Sequence, residues 1–475
     1  MLRRKKLALL VGVVTLIVVL AANVGAAKKT KLVIFFGWNQ VNFDDPNDTR
    51  ATLIKDFEKA YPDIDISIVQ APVADMGAMQ QKVTSMLNAG EQIDIINDVS
   101  GGQYWEYQED LTPYIKKDKD IKNWKYNIKD IWDYVTSYKG KQAKILNLPG
   151  QIGLTLCWFN KKLLAEAGLP FPPRGYRDKG EPGKRLSYEE WTTDKYAEYA
   201  QKLTKYDPNG VPLQLGCFEG GHQTGTWQLT FLGPTIVGKD YEVTKRVGKQ
   251  NWVIGTNYSD PGYVKLIQWL VDLEWKYNAI GKDPDIYRKG IDFPQGNVAL
   301  RILPSWFNAT CRATVKDLGD YYDIAPVPHL PGYQTMSDAV PWAATGWMNN
   351  RSKVKNAAWT FLKWQASPER QEKFYIDGTW AGAPGFTKEM IPKGYQALLN
   401  AKTPATVDLL FEAQERAYLK PKRKPNDWNE SGWWDETGKV WADIRTRKIG
   451  VVEGLKKIDE IGKRHYDEGW AIEPK

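Results

Sequence analysis

The chain has 475 residues, a formal net charge of +8 and three cysteines, Cys157, Cys217 and Cys311. Far apart and odd in number, these cysteines exclude a disulfide framework or a Cys-x-x-Cys metal site and leave room for one bridge at most. Without the basic residues Arg3, Arg4, Lys5 and Lys6 the charge falls to +4, too little for this length to imply nucleic acid or an anionic membrane.

Those four basic residues open a three-part leader: an apolar run over 7–22 follows, then small residues through Ala27. This order predicts a secretory signal peptide over 1–27, cleaved after Ala26 or Ala27, with an uncleaved anchor as the alternative. The mature chain then opens with a buried-strand run over 31–38. Leu53, Phe57 and Ala60 share one helical face, Pro62 stops that helix, and Ile64, Ile66 and Ile68 alternate as a second strand, making a βαβ unit. Between them, Asp44, Asp45, Pro46, Asn47 and Asp48 lack the spacing and glutamate of a calcium loop and read as an Asx-rich turn capping the helix at Thr49. A helix over 78–87 ends near Gly90 and leads into a short strand over 93–96. In open α/β sheets ligands sit beyond the carboxyl ends of the strands, so the loops after Phe36 and Ile96 face a site.

Further along, an apolar strand over 154–159 is closed by Asn160, which caps a helix over 161–167 that Gly168 ends and Pro170 keeps from resuming. Residues 175–185, rich in Gly, Pro and charge, read as a surface loop. Ser187 and Glu190 form a capping-box signature for a helix through Thr204. A strand over 299–303 points into Pro304, Ser305 and Trp306; another covers 322–327; an amphipathic helix covers 353–365, and Ser367 and Pro368 open the next. Strands and helices alternate throughout, which predicts α/β architecture. There is no internal repeat.

The 21 tryptophans are several times what chance would give. Most read as core, but Trp38 and Trp306 follow strands, where a broad π face can stack on the C–H face of a pyranose. Catalysis finds little support. No Gly-x-Ser-x-Gly, His-Glu-x-x-His, Gly-x-Gly-x-x-Gly or phosphate loop is present, and only His222, His329 and His465 are available for histidine chemistry. The many Asp and Glu residues leave an exported glycan-active enzyme as one alternative.

Six segments occur in an order that resembles one family: FEKAYPDIDISI, NAGEQIDII, YKGKQAKILNLPGQIGLTLCWFNKKLLAEAGLPFPP, FPQGNVALRILPSW, YDIAPVPHLPG and SKVKNAAWTFLKWQASPERQEKFY. Over nearly the whole mature chain they resemble bacterial extracellular solute-binding proteins of the maltose-binding-like family, which feed ABC importers. Two departures are visible: Pro304 and Ser305 replace the usual small residues before Trp306, and the segment 174–185 is longer than the family's loop there. The resemblance implies a type II periplasmic binding protein fold of two α/β lobes, a hinge of crossing strands and a ligand cleft between the lobes. With crossings near 149–151 and 341–345, it divides the chain into an N-terminal lobe of 28–149 plus 345–385 and a C-terminal lobe of 150–344 plus 386–475.

It also implies a role, that of capturing a carbohydrate, by expectation an oligosaccharide, and delivering it to ABC permease subunits. By the family layout Trp38 and Trp306 lie on opposite lobes and sandwich a sugar ring. Asn39, Gln40 and Asp98 fall where the N-terminal lobe binds hydroxyls, Gln151 falls at the crossover, and Glu219 and Trp227 fall in or near a second-lobe ligand loop. Trp380 and Trp434 complete the candidate set. Amides and carboxylates suit this role because each can hold two vicinal hydroxyls. A periplasmic monomer is expected, without a lipid-anchor cysteine, catalytic residues, metal or cofactor, and meeting the membrane only through the permease. The other alternative is a binding protein for a non-sugar polar solute such as a phosphate ester; no Arg/Lys cluster at the expected loops supports it, and the tryptophan surplus favours sugar.

Overall fold

A computed structural model describes residues 29–37, 41–45, 48–71, 76–97, 99, 102–128, 131–139, 142–218, 232–247, 250–280, 290–314, 321–333, 339–343, 346–380, 382–400, 404–416, 422–423 and 430–472. Two compact units are present, each assembled from two stretches of sequence: Met1–Val99 with Met348–Phe361, and Ser100–Trp347 with Leu362–Lys475.

In the first unit β1 (Thr30–Phe36) runs parallel to β2 (Ile64–Gln70) from Thr30↔Ile64 to Phe36↔Gln70, with α1 (Thr49–Ala60) as the crossover. Asp48 caps α1, accepting from the amides of Arg50 and Ala51, as the Asx-rich turn predicts. After α2 (Met76–Ala89) comes β3 (Ile95–Ile96), parallel to β1 through Ile34↔Ile95. The alternation read for Ile64, Ile66 and Ile68 gives only one fully buried residue, Ile64, because β2 is an edge strand. Asp94, wholly buried, holds the returning stretch: its carboxylate accepts from the Val33 amide (2.8 Å), Gln92 Nε2 (2.8 Å) and Ser352 Oγ (2.6 Å).

The second unit is built around β4 (Pro149–Asn160), buried at all twelve positions. A central strand covered on both faces has no polar side to present, hence a mostly apolar strand whose polar members, Gln151, Thr155 and Asn160, are themselves buried. Asn160 Oδ1 accepts from the Leu163 amide and starts α3 (Lys161–Glu166), and Gly168, at φ 64°, ends it. The reciprocal Ser187–Glu190 bonds form, yet the chain makes a turn there and α4 (Thr193–Leu203) begins only after Thr192, whose hydroxyl accepts from the Lys195 amide. β5 (Pro212–Cys217) lies parallel to β6 (Val298–Pro304), which is antiparallel to β4 from Leu300↔Phe159 to Pro304↔Thr155. On the other side of β4 lie β7 (Tyr322–Ala325) and, further towards its start, β8 (Ala339–Ala343), paired from Leu154↔Ala339 to Pro149↔Ala343.

The loop after Pro173 is no free flap. Tyr176 is buried, its amide donates to the Glu412 carboxylate (2.5 Å), Arg416 lies over its ring (4.6 Å), and Arg177 pairs with Glu415 (2.7 Å). All three cysteines are buried and unbridged, and burial pushes the Cys311 thiol up to about 12, which makes it inert. Among the described residues no helix is long and apolar enough to cross a membrane, and no cluster of His, Cys, Asp or Glu could hold a metal.

Asp323 on β7 is buried, accepts from the Ile324 amide, and has its pKa raised by burial despite the nearby positive charges of Lys161, Arg185 and Arg174. The native state therefore keeps this proton to higher pH than the unfolded chain does, and stability is lost as pH rises from the unfolded value, about 4, through the folded one. Asp323→Asn is expected to raise Tm by about 1–2 °C at pH 7, with the two proteins converging near pH 4. Scanning calorimetry at both pH values checks this, and an equal gap at both would refute it.

Candidate functional site

Because β5 and β6 are parallel neighbours, their carboxyl ends open on the same edge of the sheet, the position where open α/β sheets bind ligands. From β5 the chain emerges at Phe218, and from β6 at Ser305 and Trp306. The Trp306 turn is fastened to β4 by a wholly buried serine. The Ser305 amide donates to the Leu154 carbonyl (2.7 Å), and Ser305 Oγ accepts from the Leu154 amide (3.1 Å). The hydroxyl thus takes over the strand pairing where β6 ends, which explains a polar residue at a position the family resemblance assigns to small ones. Trp306 itself is half-buried, its ring edge-on to Phe307 at 6.1 Å, so part of the indole is held and part faces outward.

Gln151 lies on β4, buried, three residues before Leu154. Alongside runs the segment after Trp380: Ile152 and Ala383 exchange both backbone hydrogen bonds (2.9 and 2.8 Å). The approach needs glycine, since a Cβ at Gly382 would lie 2.1 Å from the Ile152 carbonyl oxygen and one at Gly385 1.9 Å from that of Gly150. Trp380 is buried in the core of this unit, and its carbonyl accepts from Asn308 Nδ2 (2.9 Å), at the start of α5 (Phe307–Thr314). Three of the candidate residues, Gln151, Trp306 and Trp380, thus come from segments bonded to one another. Trp434 belongs to the helix Glu430–Arg445. Trp38, Asn39, Gln40, Asp98, Glu219 and Trp227 lie outside the described residues.

Two supporting residues escaped sequence reasoning besides Ser305. Arg301, buried on β6, places its guanidinium 5.0 Å from the Phe218 ring and 4.9 Å from the Phe307 ring, with the Asp292 carboxylate as its ion partner. An arginine sandwiched by aromatic rings and paired with a carboxylate links the two strand ends. Its signal was the single charge inside the apolar run Ala-Leu-Arg-Ile-Leu. Asn308 is the other, buried after the Trp306 turn with no local pattern to mark it.

The protein is thus an α/β architecture in two units, each assembled from two stretches of sequence, with an aromatic and polar edge at the strand ends of the second. The sequence pattern of the bacterial extracellular solute-binding proteins matches residues 43–372, and the chain belongs to that family. No curated protein sequence matches it. Among solved structures it is similar to the ABC substrate-binding protein Lmo0181 of Listeria monocytogenes in complex with cycloalternan. There the identity is 20%, 92% of this chain and 99% of that one are covered, and the TM-score is 0.67. It is also similar to the maltose-bound MalE3 of T. maritima (17% identity, 92% and 99% covered, TM-score 0.62). A third is the GacH receptor of Streptomyces glaucescens, solved unliganded and with acarbose (16% identity, 93% and 99% covered, TM-score 0.61). At these identities the likeness establishes the fold, the two-lobe α/β periplasmic binding protein fold that the six segments implied.

Proposed function

We propose that this protein is the substrate-binding component of an ABC importer, capturing a carbohydrate, an oligosaccharide by preference, in a cleft between two lobes and handing it to the permease. The observation that carries the reading is Trp306: a half-buried indole at the carboxyl end of a central strand, fixed by the buried Ser305. Similar structures bound to cycloalternan, mannotriose, acarbose and maltose support the ligand class. By the family layout the lobes are 28–149 with 345–385 and 150–344 with 386–475; the compact units differ in giving 100–149, 345–347 and 362–385 to the second, but each is assembled from two stretches, which supports a chain that crosses more than once. Binding would work by population shift: contacts from both lobes exist together only in the closed form, so the sugar favours closure about the hinge. In this reading Trp38, Asn39, Gln40, Asp98, Gln151, Glu219, Trp227, Trp306, Trp380 and Trp434 bind the ligand, no residue is catalytic, the leader is removed, and the protein works as a periplasmic monomer without a lipid anchor.

A thermal-shift screen of the chain from Lys28 onward, against maltose, mannotriose, cycloalternan, acarbose, uronic-acid oligosaccharides and glycerol phosphate, tests this. A ligand at 100 times its Kd adds about 2.7 kcal/mol of stability, a shift of a few degrees. A sugar that shifts Tm and is recovered intact after long incubation supports the reading. A consumed sugar turns it towards an enzyme, and a response to glycerol phosphate alone replaces carbohydrate with a phosphate ester.

A further inference from the structure

The three described candidate residues come from stretches of sequence far apart: Gln151 on β4, Trp306 after β6 and Trp380 after the helix Pro368–Ile376. Affinity for a ligand spanning them depends on whatever fixes those stretches to one another. One side chain has bonds in the right places. Asn308, 3% exposed, donates both hydrogens of its amide to main-chain carbonyls of the third stretch, Gly378 (3.1 Å) and Trp380 (2.9 Å). Its oxygen accepts from the Tyr322 hydroxyl (2.7 Å), which sets the amide's orientation. Its own backbone amide donates to the Ser305 carbonyl (3.1 Å) and closes the turn that carries Trp306.

The chemistry admits few substitutes. Two carbonyls on one side and a hydroxyl donor on the other call for a group with two N–H donors and an acceptor at fixed angles, which among short side chains is the asparagine amide. An aspartate would set negative oxygens against two carbonyl oxygens, and an aliphatic residue would strand both carbonyls in a buried setting.

We infer that Asn308 is a positioning residue for ligand binding: by tying the 378–380 segment to the Trp306 turn it sets the distance between two parts of the site, without touching ligand itself. This rests on the carbohydrate-binding reading. It differs from a role in folding alone because Tyr322, bonded to the same amide, holds neither carbonyl.

The experiment compares Asn308→Ala with Tyr322→Phe in the full chain. Calorimetric titration is run well below both melting temperatures with mannotriose, maltose and cycloalternan, and backbone hydrogen exchange is followed in the free proteins. Asn308→Ala is expected to weaken the sugar bound by wild type by about tenfold or more and to speed exchange at the Ala383 amide, which bonds to Ile152. Tyr322→Phe is expected to change affinity by less than about threefold and to leave that amide protected. Should Asn308→Ala not fold, Asn308→Ser, which keeps one donor, is expected to show the same two effects to a smaller degree. Equal affinities for wild type and the Asn308 variants overturn the inference while leaving the carbohydrate reading intact. A wild type that binds none of the sugars defeats the reading instead. In that case the positioning role for sugar falls with the reading, whatever exchange at Ala383 shows.

Discussion

Trp306→Ala is expected to weaken oligosaccharide binding by about tenfold or more while the free protein melts within about 3 °C of the wild type. The two expectations follow from one geometry. Only part of the indole rests on the second unit's core, against Phe307, so truncation forfeits a limited amount of packing. The turn beneath it is held by Ser305 and Asn308 rather than by the indole, and survives the change. The outward face is what a pyranose would cover. Burying on the order of 100 Å² of apolar surface at about 25 cal/mol per Å² gives roughly 2.5 kcal/mol, and the aromatic contact adds to that. A tenfold loss needs about 1.4 kcal/mol, so the estimate holds even if half the area term is lost to imperfect contact. Titration calorimetry reads the affinity, and a Kd equal to wild type would remove Trp306 from the site.

Local chemistry made part of this molecule legible and long-range chemistry hid the rest. Asn160 and Gly168 bracket α3 with bonds spanning a few residues, and the sequence reading placed that helix to within one residue. β4 reaches back to Pro149, five residues before the expected start, because partners far along the chain extend it: Ala343 on β8 pairs with Pro149, and Ala383 bridges Ile152. The capping box at Ser187 formed as chemistry predicts but served a turn; Thr192 won the helix start. The site divides in the same way. A tryptophan after a strand can be seen in sequence. That Ser305 would bond to Leu154, and Asn308 to Gly378 and Trp380, depends on which segments meet, and no periodicity encodes it. Trp380 is another case: nothing local marks that Gly382 and Gly385 permit close backbone contact with β4, or that the Trp380 side chain is buried.

The largest effect on stability is expected at Asp94 in the first unit, where Asp94→Ala should cost about 3 kcal/mol of unfolding free energy. Its carboxylate is wholly buried and takes three donors, two of which, the Val33 amide and the Ser352 hydroxyl, come from the central strand β1 and from the returning stretch after Met348. Alanine leaves those donors without an acceptor in a site closed to water, at about 1–3 kcal/mol each when no relaxation is possible. Ser352→Ala removes one donor and leaves the carboxylate two others, so its cost should stay near 1 kcal/mol. The contrast between the variants matters more than either value, because a simple loss of packing would make the larger cavity, not the broken acceptor, decide the order. Asp94→Asn separates the two: it keeps the volume but turns one oxygen into a donor facing donors, and is expected to lose most of what alanine loses. Urea unfolding of the three variants gives the order. If Asp94→Asn is as stable as the wild type, the carboxylate is not what holds the returning stretch to β1, and the backbone bonds from Asn349 to Asp94 and from its side chain to Ile93 must carry that junction alone.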